Sequence, residues 1–250
     1  MNKLVAFALT LCSLVSTSVL ATPMLISSTW NDNSIHILDE SFNSVTSFTT
    51  GGSNPNGVAA NNSLIFSGHF LSKEVIAYDH TGVEQYRWSS QLLSGLQGMT
   101  VVGNELAIYS QNSINFFDIA NGSFLRSFNT ASSIEGIAFD GTNIWALGNS
   151  LFAYNPTTGA LMDTINNAAA GLSFGGTGIA SLGQGQLALA GTNGTWFTVS
   201  TTDGSVINSG NNGLNMYGLS SLVTDIPEPS TLAIFALGVL GLTARRVKKS

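Results

Sequence analysis

From Met24 onward apolar and polar residues alternate in short runs, each ending among Gly, Asn, Asp and Ser. A period of two is the mark of a half-buried β-strand, and the 3.6-residue helical period is weak throughout. The alternation repeats on a longer scale. A glycine followed by an aliphatic and then a small or polar residue occurs as Gly57-Val58-Ala59, Gly98-Met99-Thr100, Gly136-Ile137-Ala138, Gly178-Ile179-Ala180 and Gly218-Leu219-Ser220, at intervals of 41, 38, 42 and 40 residues. A second strand follows each of the first four, as in NSLIFSG, NELAIYS, TNIWALG and GQLALAG. Next comes a strand ending in a turn at Asp79, Asp118, Asn155 and Ser200, with a matching segment at Asp39. A fourth strand closes the unit, as in VEQYRWS, SFLRSFN, ALMDTIN and SVINSG.

Four short strands in about 40 residues predict a β-propeller blade. The Asp39 unit lacks its glycine motif, and the motif at Gly218 lacks its following strands. Pairing the two gives a blade whose inner strand is Gly218–Val223 and whose other three strands come from Met24–Thr50. The expected fold is therefore all-β: a five-bladed propeller closed by N- and C-terminal strands in one blade, with no open edge between first and last blades. A β-solenoid or an irregular sandwich is the alternative. The units resemble the broad YVTN/NHL/quinoprotein-like propeller repeats, chiefly through IEGIAFDGTNIWALGNSLFAYNPTTG. The WD signature is missing. That resemblance implies a fold shared by enzymes, ligand binders and scaffolds, so it selects no activity.

Both ends carry a different pattern. Lys3 precedes an apolar run to Ala21, with Val19 and Ala21 at the small-residue places of a cleavage site before Thr22. This predicts a secretory signal peptide over residues 1–21; a retained anchor or a buried helix is the alternative. Cleavage between Ala21 and Thr22 removes Cys12, the sole cysteine, which by itself excludes an internal disulfide or a thiolate cluster. At the other end, Pro227-Glu228-Pro229 is followed by an apolar stretch and then by Arg245, Arg246, Lys248 and Lys249. A helix over residues 231–244 would be about 21 Å long, short for a bilayer core of about 30 Å unless flanking residues join it. The four bases predict a cytoplasmic terminus, with everything before Pro227 across the membrane.

This order of PEP, apolar helix and basic cluster resembles the PEP-CTERM sorting domain. The resemblance implies processing by an exosortase, with Pro227, Glu228, Pro229, Arg245 and Arg246 serving sorting rather than activity. A simple tail anchor is the alternative. The expected organisation is a signal peptide at 1–21, a propeller domain at 22–224 and a sorting segment at 225–250.

Charge sharpens the picture of the middle. The whole chain has 14 acids and 8 bases, yet between the two end segments the bases are only Lys73, Arg87 and Arg126. Such an acidic surface argues against nucleic acid and anionic lipid as partners. Asp39, Asp79 and Asp118 suggest a repeated carboxylate site, but an Asp that ends a strand binds its own turn, and Asn155 does the same uncharged. His36, His69 and His80 show no metal-ligand spacing, although His69, in a strand connection, and His80 share one blade. GGTGIASLGQG opens a strand and lacks a Walker lysine, and no G-x-S-x-G elbow is present. No metal, cofactor or catalytic residue is expected.

One set of positions points to a ligand. Asn56, Gln97, Glu135, Thr177 and Tyr217 directly precede the five glycine motifs and should ring one mouth of the central channel, with Trp30 and Tyr217 placed to stack on a sugar. The alternative is that they cap strands and hold ordered water. The expected function is an exported, surface- or matrix-associated protein whose non-catalytic propeller binds polysaccharide or a surface protein. Its other partners are exosortase, the secretion machinery and, before processing, the membrane. The rivals are an extracellular lyase or hydrolase using Glu135 as acid/base, and a purely structural matrix component.

Overall fold

The computed structural model describes residues 24–166 and 176–222. They belong to one compact unit, Pro23–Thr224. The chain lays down β1 (Met24–Thr29), β2 (Ser34–Leu38) and β3 (Ser44–Thr49), then β4 (Pro55–Ala60), β5 (Ile65–His69), β6 (Glu74–Tyr78) and β7 (Glu84–Ser89). A short 3-10 turn, Gln91–Leu93, leads to β8 (Met99–Val102), β9 (Glu105–Ser110), β10 (Ser113–Asp118) and β11 (Phe124–Asn129). There follow β12 (Ile134–Phe139), β13 (Ile144–Gly148), β14 (Ser150–Tyr154) and β15 (Leu161–Asn166). Last come β16 (Gly176–Gly183), β17 (Gln186–Gly191), β18 (Thr195–Ser200), β19 (Val206–Asn211) and β20 (Met216–Leu222).

These strands form five four-stranded antiparallel sheets, and the first has the order β20-β1-β2-β3. One blade is thus built from both ends of the unit: Met24 pairs with Leu222 and Ser27 with Leu219. The inner strands β4, β8, β12, β16 and β20 each touch the next, and β20 returns to β4. The ring is closed.

The core is divided among the seams between blades. Each of five apolar clusters draws on two neighbouring blades, as where Phe66 and Val75 meet Leu106 and Phe117. Burial falls from the ring outward: β4 is buried at every position, whereas β3 is exposed at all but one. Alternation in the sequence is therefore clearest on the outer strands, and inner strands read as continuous apolar or small-residue runs because both faces are covered.

The turn residues bind their own turns. One carboxylate oxygen of Asp39 accepts from the backbone N–H groups of Ser41 and Asn43, and one of Asp79 from those of Thr81 and Val83. Asp118 accepts from Ala120 and Asn121, and the Asn155 amide oxygen from Thr157 and Thr158. These side chains close Asx turns on the rim.

A wedge repeats at the seams. Phe48, Trp88, Phe128, Ile165 and Gly210 hold equivalent places on the outermost strands, two residues past a bulge in the pairing. The first three rings lie against Gly82, Gly122 and Gly159 in the β-turns of the next blade, where an added Cβ would collide with them. At the seam that closes the ring the arrangement is reversed. Gly210 replaces the wedge, Trp196 on β18 covers it, and Phe42 takes the turn position held elsewhere by glycine, at φ 62°. Phe42 and Trp196 stack with centroids 4.3 Å apart and planes 6° from parallel. Ala180, Ala188 and Ala190 beside them make room for the pair.

Candidate functional site

Asn56, Glu135, Thr177 and Tyr217 are the second residues of β4, β12, β16 and β20, and Gln97 comes two residues before β8. The glycine after each lets neighbouring inner strands approach at backbone distance. A Cβ on Gly136 would lie 2.6 Å from the Thr177 carbonyl oxygen, and one on Gly218 would lie 2.7 Å from that of Asn56. The throat lined by Val58, Met99, Ile137, Ile179 and Leu219 has no room for a water molecule. The expected channel is therefore shut just beneath the five positions, because glycine at every inner strand draws the blades together. What remains is a mouth with a closed floor.

The five side chains divide into two kinds. Asn56 and Thr177 are staples between blades: the Asn56 amide donates to the Leu96 carbonyl at 2.9 Å, and the Thr177 hydroxyl to the Met216 carbonyl at 2.7 Å. Each reaches the residue just before the next ring position, so these two behave as strand caps. Gln97, Glu135 and Tyr217 are half-buried, and their side chains make no hydrogen bond among the described residues. Burial holds the Glu135 carboxyl above its ordinary range, and no basic partner opposes that rise.

An aromatic group stands beside this ring. Trp30 follows β1 and Phe70 follows β5, at the same end of the blades as the starts of the inner strands. Trp30 meets Tyr217 edge-on with centroids 4.9 Å apart, and its other neighbour is Phe70 at 5.8 Å. Phe70 holds the same place in its unit as Trp30 in the first, but the equivalents in the other three units are Gln111, Asn149 and Thr192, so the repeat itself does not mark an aromatic there.

The histidines do not form a site. His69 is the last residue of β5 rather than part of a connection, and it is fully buried. Its Nδ1–H donates to the Ser53 carbonyl at 3.1 Å, leaving Nε2 buried without a partner. His80 lies two residues beyond Tyr78, which pairs with Ile65 at the far end of β5, so the two rings belong to opposite ends of the blade. His36 Nδ1 meets the Ser44 hydroxyl at 2.9 Å. Among the described residues no three His, Cys, Asp or Glu side chains gather to hold a metal.

Residues 225–249 match the PEP-CTERM protein-sorting motif. The fold and that motif together define a five-bladed β-propeller made as an exported, membrane-anchored precursor for exosortase sorting to the cell surface. The signal peptide with its Ala21/Thr22 junction, the span at 231–244, Pro227-Glu228-Pro229, Arg245 and Arg246 lie outside the described residues. Among the described residues no helix is long and apolar enough to cross a membrane. No curated protein matches the chain in sequence. Solved structures do resemble it. Glutaminyl cyclase from Myxococcus xanthus aligns at 14% identity and a TM-score of 0.56, over 66% of this chain and 79% of that one. A Bacteroides caccae protein of unknown function aligns at 17% identity and a TM-score of 0.50, over 76% and 73%. The WD40 repeats of RRP9 align at 11% identity and a TM-score of 0.51, the match spanning 75% of this chain and only 60% of that one. At such identities the likeness concerns the fold alone.

Proposed function

We propose that the mature chain is a non-catalytic binding protein of the cell surface or extracellular matrix, and that its propeller holds a neutral carbohydrate at the mouth. Residues 1–21 serve as the leader, 22–224 as the binding domain and 225–250 as the sorting segment. The observation that carries this reading is the pairing of unengaged hydrogen-bonding groups with aromatic rings. Gln97, Glu135 and Tyr217 offer an amide, a carboxyl and a phenol, next to the Trp30–Phe70–Tyr217 cluster and above a sealed throat. Sugars present hydroxyls at their edges and C–H groups on their faces, which suits both kinds of partner. The absence of bases among the five ring positions disfavours anionic ligands.

The test is retention of the purified full chain on immobilised neutral polysaccharides. Trp30→Ala should weaken binding by about tenfold, or about 1.4 kcal/mol, with the unfolding midpoint unchanged. Failure of the wild-type chain to be retained on any neutral polysaccharide would overturn the reading, and retention only on a protein partner would replace it.

The raised Glu135 carboxyl favours a second reading, a polysaccharide lyase or hydrolase in which it donates a proton. Glu135→Gln would then abolish turnover of the polymer while sparing binding. Unchanged turnover in that variant would remove the assignment.

A further inference from the structure

A space lies at the closing seam, beside Phe42. Tyr86 and Arg126, two residues before the wedge on their strands, span to the next blade: the Tyr86 hydroxyl donates to the Ile119 carbonyl at 2.7 Å and Arg126 to that of Pro156 at 2.8 Å. Asn208 stands at this place on β19 and is too short to do the same. Between it and the β2–β3 turn lies a cavity of about 330 Å³, within the range of small-ligand sites, roughly 300–1,000 Å³.

Its walls combine two chemistries. Glu40, Gln184, Gln186, Thr198 and Asn208 bring a carboxylate, three carboxamides and a hydroxyl from four segments of the chain. The side chains of Glu40, Gln184, Gln186 and Thr198 make no hydrogen bond among the described residues, and Asn208 uses only its oxygen, to accept from the Ser209 N–H at 2.9 Å. Leu25 and Phe42 floor the cavity, and Ile207 walls it while remaining 53% exposed. The mouth lies at the other end of the blades, since Leu25 is the second residue of β1 and Trp30 follows its end.

We propose that this cavity is a second binding site, for one unit of a neutral saccharide. Carboxamides both donate and accept, which matches a hydroxyl, and the carboxylate accepts from two hydroxyls at once. The apolar floor takes the C–H face of the ring. No lysine or arginine lines the cavity, so a phosphate, sulfate or uronate would find no countercharge. The site stands on geometry separate from the mouth. With both occupied, one molecule joins two glycan segments.

The experiment uses the full chain in detergent and a panel of neutral trisaccharides built from glucose, galactose, mannose or N-acetylglucosamine. Trigalacturonate and trilysine serve as charged controls, and binding is read by titration calorimetry and ligand-observed NMR. At least one neutral trisaccharide should bind, and Gln186→Leu and Asn208→Leu should each weaken it by about tenfold without moving the unfolding midpoint. The same binding should persist in Trp30→Ala, which separates failure here from failure at the mouth. Three results would overturn the proposal: no neutral trisaccharide bound at millimolar concentration, binding indifferent to both cavity variants, or trilysine alone responding to them.

Discussion

His69 shows how a single buried side chain contributes to the response of the fold to acid. Its ring is enclosed, and desolvation lowers its pKa from 6.5; the Ser53 carbonyl and the charge of Glu74 oppose that shift, and the charge of Arg87 adds to it. The unfolded chain therefore binds a proton that the folded chain refuses. The resulting stability is present above the unfolded pKa and is lost as pH falls below about 6.5, at up to about 1.4 kcal/mol per pH unit. Urea unfolding at about pH 7 and about pH 5 should show this loss, and His69→Gln should flatten it even if that variant is less stable at both. An unchanged slope in His69→Gln would assign the acid response to other groups. The role of a polar residue was legible in the sequence when its partners are local. Asp39 and Asn155 bind N–H groups within four residues, and turn chemistry names that outcome in advance. It was not legible when the partner lies a blade away. Asn56 and Thr177 share one position with Gln97, Glu135 and Tyr217, yet their acceptors are 40 and 39 residues distant. Which ring residues are staples and which are free depends on the spacing of adjacent inner strands, and the repeat does not report that spacing.

At the level of strands, period and turn residues carried nearly all the information. Each expected strand from Met24 to Leu222 is present, because every blade needs one buried inner strand and one solvent-facing outer strand, and the hydrophobic pattern records both. The reversed seam escaped notice because it depends on register. Only the bulge in each outer pair aligns Gly210 with Phe48, Trp88 and Phe128. Phe42 is 1% exposed and sits in a left-handed conformation that costs an L-residue about 1–2 kcal/mol. Removing a buried aromatic ring costs about 3–5 kcal/mol. Phe42→Gly relieves the strain and loses the ring, so it should destabilise the fold by about 2–4 kcal/mol in urea unfolding. The exchange that restores the ordinary seam, Phe42→Gly with Trp196→Val and Gly210→Phe, should recover part of that loss. A triple variant no more stable than Phe42→Gly alone would show that the seam is not an interchangeable wedge and socket.

Closure is the property of the whole molecule on which the sheets depend. Without β20, strand β1 would lose its inner partner, and β16 and β4 would face each other across a gap that exposes the Ile26 and Leu25 clusters. Unpaired strand edges and bared seams also invite association between chains. The sequence foretold this join from two incomplete repeats, one lacking its glycine motif and the other lacking everything after it. Its physical content can be separated from the location of the chain ends. Met24 and Leu222 are paired, so a short glycine-serine linker can join the ends of the unit, and the chain can be reopened at Gly51–Ser53 between β3 and β4. The resulting blade is continuous in sequence, and the ring is intact. That permutant should unfold in one transition with the denaturant slope of the original order, because the same surface is exposed on unfolding. Deleting Met216–Leu222 from the unpermuted chain should instead lower the slope or split the transition. If the deleted chain unfolds as sharply as the permutant, each blade pair is self-sufficient, and the shared blade joins the ends without holding the ring.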